Sequence, residues 1–296
     1  MHKKSFLKYI EYQKKYSSLT VNSYAIDLNS FYSFCLNNNF IDSEDEIIKD
    51  YKIIRKWVAY LSTQNLSSKS INRKLSTLRS FYNFLQRENK IDSNPLLKIT
   101  RLKTEKKLPE FISEEKMDLL LDSSVFSDDF EGVRDYLIIE MLYGTGMRRA
   151  ELINLYLKDI DLKKKYLKVT GKRNKQRIIP FPDELSELIK KYMALRQNIQ
   201  TDSDFLFITK SGKKIYPNLV YRTVVKYISL ISTQKKKSPH TLRHTYATHL
   251  LNNGADINAV KELLGHASLS ATQIYTHNTF EKLNRIYKQA HPRAKK

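Results

Sequence analysis

The stretch from His240 to His277, "HTLRHTYATHLLNNGADINAVKELLGHASLSATQIYTH", gathers five of the chain's seven histidines with Arg243, Tyr246 and Tyr275. Imidazole exchanges protons near neutral pH, a guanidinium stays charged and grips oxyanions, and a phenol becomes a nucleophile once deprotonated. Three readings fit such a collection: a metal site, a nucleophilic active site, or a helical core that contains histidine. For a metal, His240 and His244 lie i, i+4 and His249 follows. His249 would sit about 140° around the helix from His244, and the usual cysteine or carboxylate companions of zinc are not set beside it. His240 and Arg243 are spaced i, i+3 and share one helical face. A second cluster, "LYGTGMRRAELINL", sets Arg148 and Arg149 at a helix start behind glycines flanking Thr145. Helical neighbours project about 100° apart, so only one of that pair should point into a site.

The elements that must position these residues are legible in outline. Ser238-Pro239 starts a helix, with serine as N-cap and proline at the first helical position. Leu242, Tyr246 and Leu250 form its buried stripe, which makes Tyr246 a core residue. Gly254 ends that helix, Asp256 caps the next, and Gly265 closes it just before His266. Two short helices thus return His266 beside the first. Upstream, Val133 to Leu142 reads as a strongly apolar helix. "YLKVT" and "RIIPFP" are β-type runs enclosing "GKRNKQ", a hairpin with a basic turn that offers Lys172 and Lys175. "FLFIT" and "SGKKI" suggest a further short strand pair, and helix resumes from Pro217 to Ser229.

The first 94 residues hold neither glycine nor proline, and all seven glycines lie at or beyond Gly132. Breaker-free sequence with helical periodicity predicts an all-α region. Tyr24, Leu28, Phe31 and Cys35 repeat at helical spacing, as do Ile71, Leu75, Leu78, Phe81 and Leu85. Weaker helices surround Phe6 to Ile10 and Ile54 to Leu61, completing a four-helix bundle. Asn94-Pro95 ends it. The expected division is a helical domain over residues 1–98, a basic linker over 99–110 and a second domain over 111–296. The fold class is mainly α with a small antiparallel β-sheet (α+β).

Composition narrows the partner. Of 296 residues, 41% are hydrophobic, as in an ordinary globular protein, but the net charge is +21 and the pI about 9.7. Such a surface attracts polyanions, and nucleic acid leads, with an AT-rich genome as the alternative source of lysine. A lone cysteine, Cys35, excludes an internal disulfide, fits a reducing compartment and sits in an apolar helical stripe. No apolar run reaches the ~18 residues of a membrane span, and the N-terminus has no signal-type segment. A soluble, cytoplasmic protein without a membrane partner is expected.

Taken together, these motifs resemble the tyrosine recombinases of the phage integrase family and, within them, the bacterial Xer site-specific recombinases. "GMRRAEL" matches the family's first arginine motif and selects Arg148; the hairpin turn supplies Lys172; "HTLRH" gives His240 and Arg243; "LLGH" gives His266; "TQIYTH" gives the nucleophile Tyr275. "LTVNSYAIDL" and "SSKSINRKLSTLRSFYNFL" resemble the core-binding domain, so the likeness covers nearly the whole chain. Many relatives carry basic residues just before "DL", where this chain has Ala25-Ile26, which argues against a DNA contact there.

The resemblance implies an enzyme that cuts and rejoins double-stranded DNA at a specific site without metal, cofactor or ATP. Arg148 and Arg243 would neutralise the non-bridging oxygens, Lys172 would protonate the leaving 5′ oxygen, and His240 would accept the phenol proton, with water or the phosphate as the alternative route. His266 would hydrogen-bond the phosphate or position His240. Tyr275 would form a covalent 3′-phosphotyrosine. The resemblance further implies a C-shaped clamp on DNA, a homo- or hetero-tetramer acting through a Holliday junction, and chromosome dimers resolved at a dif-like site, with activation by a cell-division translocase. Phe280, Leu283, Ile286 and Tyr287 would form the apolar face of a C-terminal exchange helix. Alternatives are an integrase or transposon recombinase of a mobile element, an inert DNA-binding regulator, and a type IB topoisomerase.

Overall fold

The computed structural model describes residues 1–105, 110–122, 124–171, 176–234, 236–265, 286–287 and 289–294. The chain divides into two compact units, Met1–Lys107 and Leu108–Lys296. Glycine is missing from the first unit, and asparagine takes its place at the helix ends. α1 (His2–Lys8) runs on through a wider turn to Gln13. α2 (Ser18–Asn37), α3 (Tyr51–Thr63) and α4 (Ser68–Arg87) are each followed by an asparagine in the left-handed region, Asn39, Asn65 and Asn89 respectively. Asparagine tolerates that region because its short amide can bond locally. At the other ends Ser17, Asp50 and Ser67 accept backbone N–H bonds as N-caps. The predicted stripes face inward: Phe31 meets Trp57 edge-on at 5.0 Å, and Phe6 meets Phe81 at 5.3 Å.

Among the described residues, one carboxylate lies inside this bundle. Asp27, of the "AIDL" motif, is fully buried and accepts from Arg73, Lys74 and Thr77, tying α2 to α4. Ile99 is buried in the same core and Leu102 packs against it, so the start of the charged segment is anchored to the first unit.

The second unit is built around α6 (Phe130–Thr145), which follows α5 (Glu114–Leu121) and is buried along nearly its whole length. A helix buried on every side lies at the centre of a core, and its buried charges are paired, Arg134 with Asp135 and Glu140 with Arg293. The short α7 (Arg149–Ile153) leads to a three-stranded antiparallel sheet of β1 (Ile160–Asp161), β2 (Tyr166–Thr170) and β3 (Gln176–Pro180), in that order. The register sets Leu167 opposite Ile179 and Val169 opposite Arg177. α8 (Asp183–Arg196), α9 (Pro217–Ile231), α10 (Pro239–Asn252) and α11 (Ile257–Leu264) follow. The strand pair expected at "FLFIT" and "SGKKI" shrinks to one bridge, Ile208 to Lys214, closed by the Ile215 N–H to the Phe207 carbonyl. Beyond that bridge the two segments part: Phe205 bridges to Tyr156, the Leu206 N–H donates to the Leu155 carbonyl, and α9 begins at Pro217.

Near the C-terminus, Tyr287 and Ala290 pack with Tyr246, Leu250 and Leu263 of the same unit. Arg293 donates to Asp122 at 2.7 Å and lies 3.5 Å from the buried carboxylate of Glu140. The described part of the predicted exchange helix thus folds back on its own unit; Phe280 and Leu283 lie outside the described residues. Among the described residues no helix is long and apolar enough to cross a membrane.

Candidate active site

Gly146, at a φ of 60°, ends α6 in a left-handed turn, and Arg148 then caps the N-terminus of α7. The two adjacent arginines part there. Arg148 is 30% exposed and turns towards α11, donating Nη2 to the Gly265 carbonyl at 3.1 Å. Arg149 is exposed and reaches the Pro217 carbonyl at 3.4 Å.

α10 begins as the sequence indicates, with Ser238 accepting from the Thr241 N–H and Pro239 in the first turn. His240 is exposed on that turn, and Arg243 one turn later is 9% exposed. Arg243 donates Nη1 to the Gly146 carbonyl at 2.6 Å and Nη2 to the Leu264 carbonyl at 2.7 Å. Arg148 and Arg243 therefore sit on adjacent carbonyls of one loop. His249 takes no part: its Nε2–H donates to the Ile112 carbonyl and its Nδ1 accepts from the Tyr143 hydroxyl, inside the core. With both nitrogens engaged it cannot join His240 and His244 on a metal.

Two residues to which the sequence reading gave no role, Glu151 within "GMRRAEL" and Arg177 on β3, complete the arrangement. Glu151 accepts the Arg148 backbone N–H and Arg148 Nη1, both at 2.8 Å. Arg177 on β3, 5% exposed, donates both η nitrogens to the same carboxylate at 2.8 Å and its Nε to the Leu263 carbonyl at 3.0 Å. The last carbonyls of α11 (263, 264 and 265) are thus held by Arg177, Arg243 and Arg148 in turn. Helix C-terminal carbonyls lack intrahelical partners and carry partial negative charge, which suits three cations.

The electrostatics follow from this packing. Burial works against a charged Glu151, but hydrogen bonds and charge from Arg177 and then Arg148 outweigh it and hold the carboxyl at about 2. Burial and the neighbouring charges of Arg148 and Arg177 push Arg243 down to about 10, still a cation at neutral pH. Among the described residues, three guanidinium groups face one carboxylate, so the site is poised to receive an anion.

Lys172, Lys175, His266 and Tyr275 lie outside the described residues. Of the predicted site residues, the structure brings Arg148 and Arg243 together and sets His240 on the same helix as Arg243. β3 carried a signal for the missed arginine: Arg177 shares the inward face with Ile179, and a charged residue on a buried strand face needs a partner.

Comparisons with known proteins bear on the family and the fold. The phage integrase family model matches residues 110–282, and the N-terminal SAM-like domain of phage integrases matches residues 4–89. The chain is 39% identical to a protein named tyrosine recombinase XerC from Staphylococcus haemolyticus, covering 99% of this chain and 97% of that one. It is 38% identical to a protein of the same name from Pelotomaculum thermopropionicum, covering 100% and 99%. In fold it resembles the XerH site-specific recombinase bound to a palindromic difH substrate, with a TM-score of 0.72 at 24% identity over 97% of this chain and 84% of that chain.

Proposed function

The chain belongs to the tyrosine recombinases of the phage integrase family, and from that premise we propose that it is an Xer-type site-specific DNA recombinase whose nucleophile is Tyr275. Relatives named XerC, 37% to 39% identical over almost the whole chain, support the Xer reading over a mobile-element integrase. The substrate is double-stranded DNA with a specific recombination site. The helical unit contacts the duplex as a core-binding domain, and the basic segment beyond it follows the phosphate backbone.

The observation that carries the chemistry is the seating of Arg148 and Arg243 on neighbouring carbonyls, with one carboxylate among three guanidiniums. A phosphodiester has one negative charge and gains a second as a nucleophile adds, so an excess of fixed cations favours the transition state over the ground state. The phenol oxygen of Tyr275 bonds to phosphorus while the bond to the 5′ oxygen breaks. The phenol proton passes to His240, or through water or the phosphate, and Lys172 supplies a proton to the leaving oxygen. His266 holds the phosphate or orients His240. The 3′-phosphotyrosine conserves the bond energy, and attack by a 5′-hydroxyl reverses each transfer. Four protomers, alike or of two kinds, exchange strands through a Holliday junction. The cellular task is resolution of chromosome dimers at a dif-like site in the cytoplasm, with a cell-division translocase as activator.

The test is a nicked suicide duplex carrying a candidate dif-like site. The native chain should give a denaturation-resistant protein–DNA adduct and Tyr275→Phe none. Equal adduct from both proteins refutes the assignment.

A further inference from the structure

The matched motifs assign Arg177 no role, yet it is the most fully engaged cation of the site among the described residues. It is 5% exposed, and its side chain makes a two-pronged bridge to Glu151 and a third bond to the Leu263 carbonyl. A Cβ placed on Gly265 would lie 3.1 Å from Arg177 Cδ, so the guanidinium stem is packed directly against the loop that Arg148 grips. Glu151 Oε1 is shared, accepting from Arg177 and from Arg148 at 2.8 Å each.

From this sharing we infer that Arg177 is a positioning residue for strand cleavage: it takes up the charge of Glu151, so that Arg148 keeps a net positive field for the scissile phosphate. The inference rests on the recombinase reading above. Without Arg177, the buried carboxylate has Arg148 as its remaining cation partner among the described residues. A buried carboxylate draws its counter-charge close, so Arg148 would be turned inward and largely neutralised. A bidentate fork is needed for the bridge, and lysine cannot supply it while also reaching the Leu263 carbonyl.

The experiment measures single-turnover cleavage and DNA affinity for the native chain, Arg177→Met, Arg177→Lys and the double variant Arg177→Met with Glu151→Gln. Each is assayed on a phosphodiester suicide duplex and on one whose scissile phosphate is a methylphosphonate, which lacks the non-bridging charge. Arg177→Met should cleave the diester roughly 10- to 100-fold more slowly with DNA affinity unchanged, and most of that deficit should vanish on the methylphosphonate. Arg177→Lys should fall between native and Met. The double variant removes both buried charges, while the amide oxygen introduced by Glu151→Gln still accepts the Arg148 backbone N–H. It should regain most of the lost diester rate, and it also guards against a single variant that folds poorly. A deficit of equal size on both substrates, or a double variant no faster than Arg177→Met, overturns the inference while the recombinase reading stands. Failure of the native chain to form any adduct overturns both.

Discussion

Glu151 accepts four N–H bonds, two from Arg148 and two from Arg177, and the field in the site turns on that division. Its folded carboxyl is held at about 2 against an ordinary 4.5. A group depressed on folding contributes stability at pH values above its unfolded pKa and loses it as the pH falls through the folded one. The contribution of Glu151 is therefore complete above about pH 4.5 and declines towards pH 2. Glu151→Gln leaves two arginines without their carboxylate and should destabilise the protein by about 3 kcal/mol at neutral pH. Melting curves followed by circular dichroism should show native and variant converging between those two pH values; a constant gap would contradict the assignment. The contrast with the two motif arginines shows what sequence can carry. Arg148 and Arg243 stand in motifs of fixed spacing, so the chain alone is enough to name them. Glu151 sits inside such a motif but acts through a partner on β3, twenty-six positions away in the chain, and pairings of that kind are set by tertiary packing.

At the scale of elements, the turn at Gly146 and the end of α11 act as one joint. Arg243 donates to the Gly146 carbonyl, and a Cβ on Gly146 would come within 2.4 Å of the Tyr246 ring at a backbone φ of 60°. Gly146→Ala combines backbone strain with overpacking and should cost about 1–3 kcal/mol. It should also slow cleavage, because Arg148 and Arg243 both hang from this turn. Denaturant titration and single-turnover cleavage check the two effects, and a variant as stable and as fast as native would count against the joint. Gly254 and Gly265 were legible as helix ends and the glycines around Thr145 as a turn, and Gly146, Gly254 and Gly265 each take up a left-handed conformation that other residues resist. The first unit carried the same information differently. Its lack of glycine indicated helices, while the left-handed asparagines that end them were hidden among many ordinary asparagines. The "FLFIT" segment misled because strand propensity describes a residue's fit to a pleated surface and says nothing about whether a partner strand has room to run alongside.

For the whole molecule, the excess of 52 basic over 31 acidic residues governs association. Phosphate neutralisation releases counter-ions, so affinity for a duplex should fall by roughly 10³-fold or more between about 50 and about 200 mM salt. Fluorescence anisotropy with a labelled duplex gives the slope, and a shallow salt dependence would mean that the lysines are mostly bystanders. Charge and composition point to the same class of partner as the family does, but the buried exceptions show only in the folded chain. Asp27 in the helical unit and Glu151 in the other each draw several donors onto one carboxylate, and neither contributes visibly to a net-charge count. The surplus of guanidinium over carboxylate beside the Gly265 loop has a practical corollary. Sulfate or inorganic phosphate should settle where a strand's backbone would otherwise lodge, whereas acetate or chloride would mainly thin the ionic atmosphere around the duplex. Two buffers of equal ionic strength can then leave quite different fractions of the enzyme free to engage a strand.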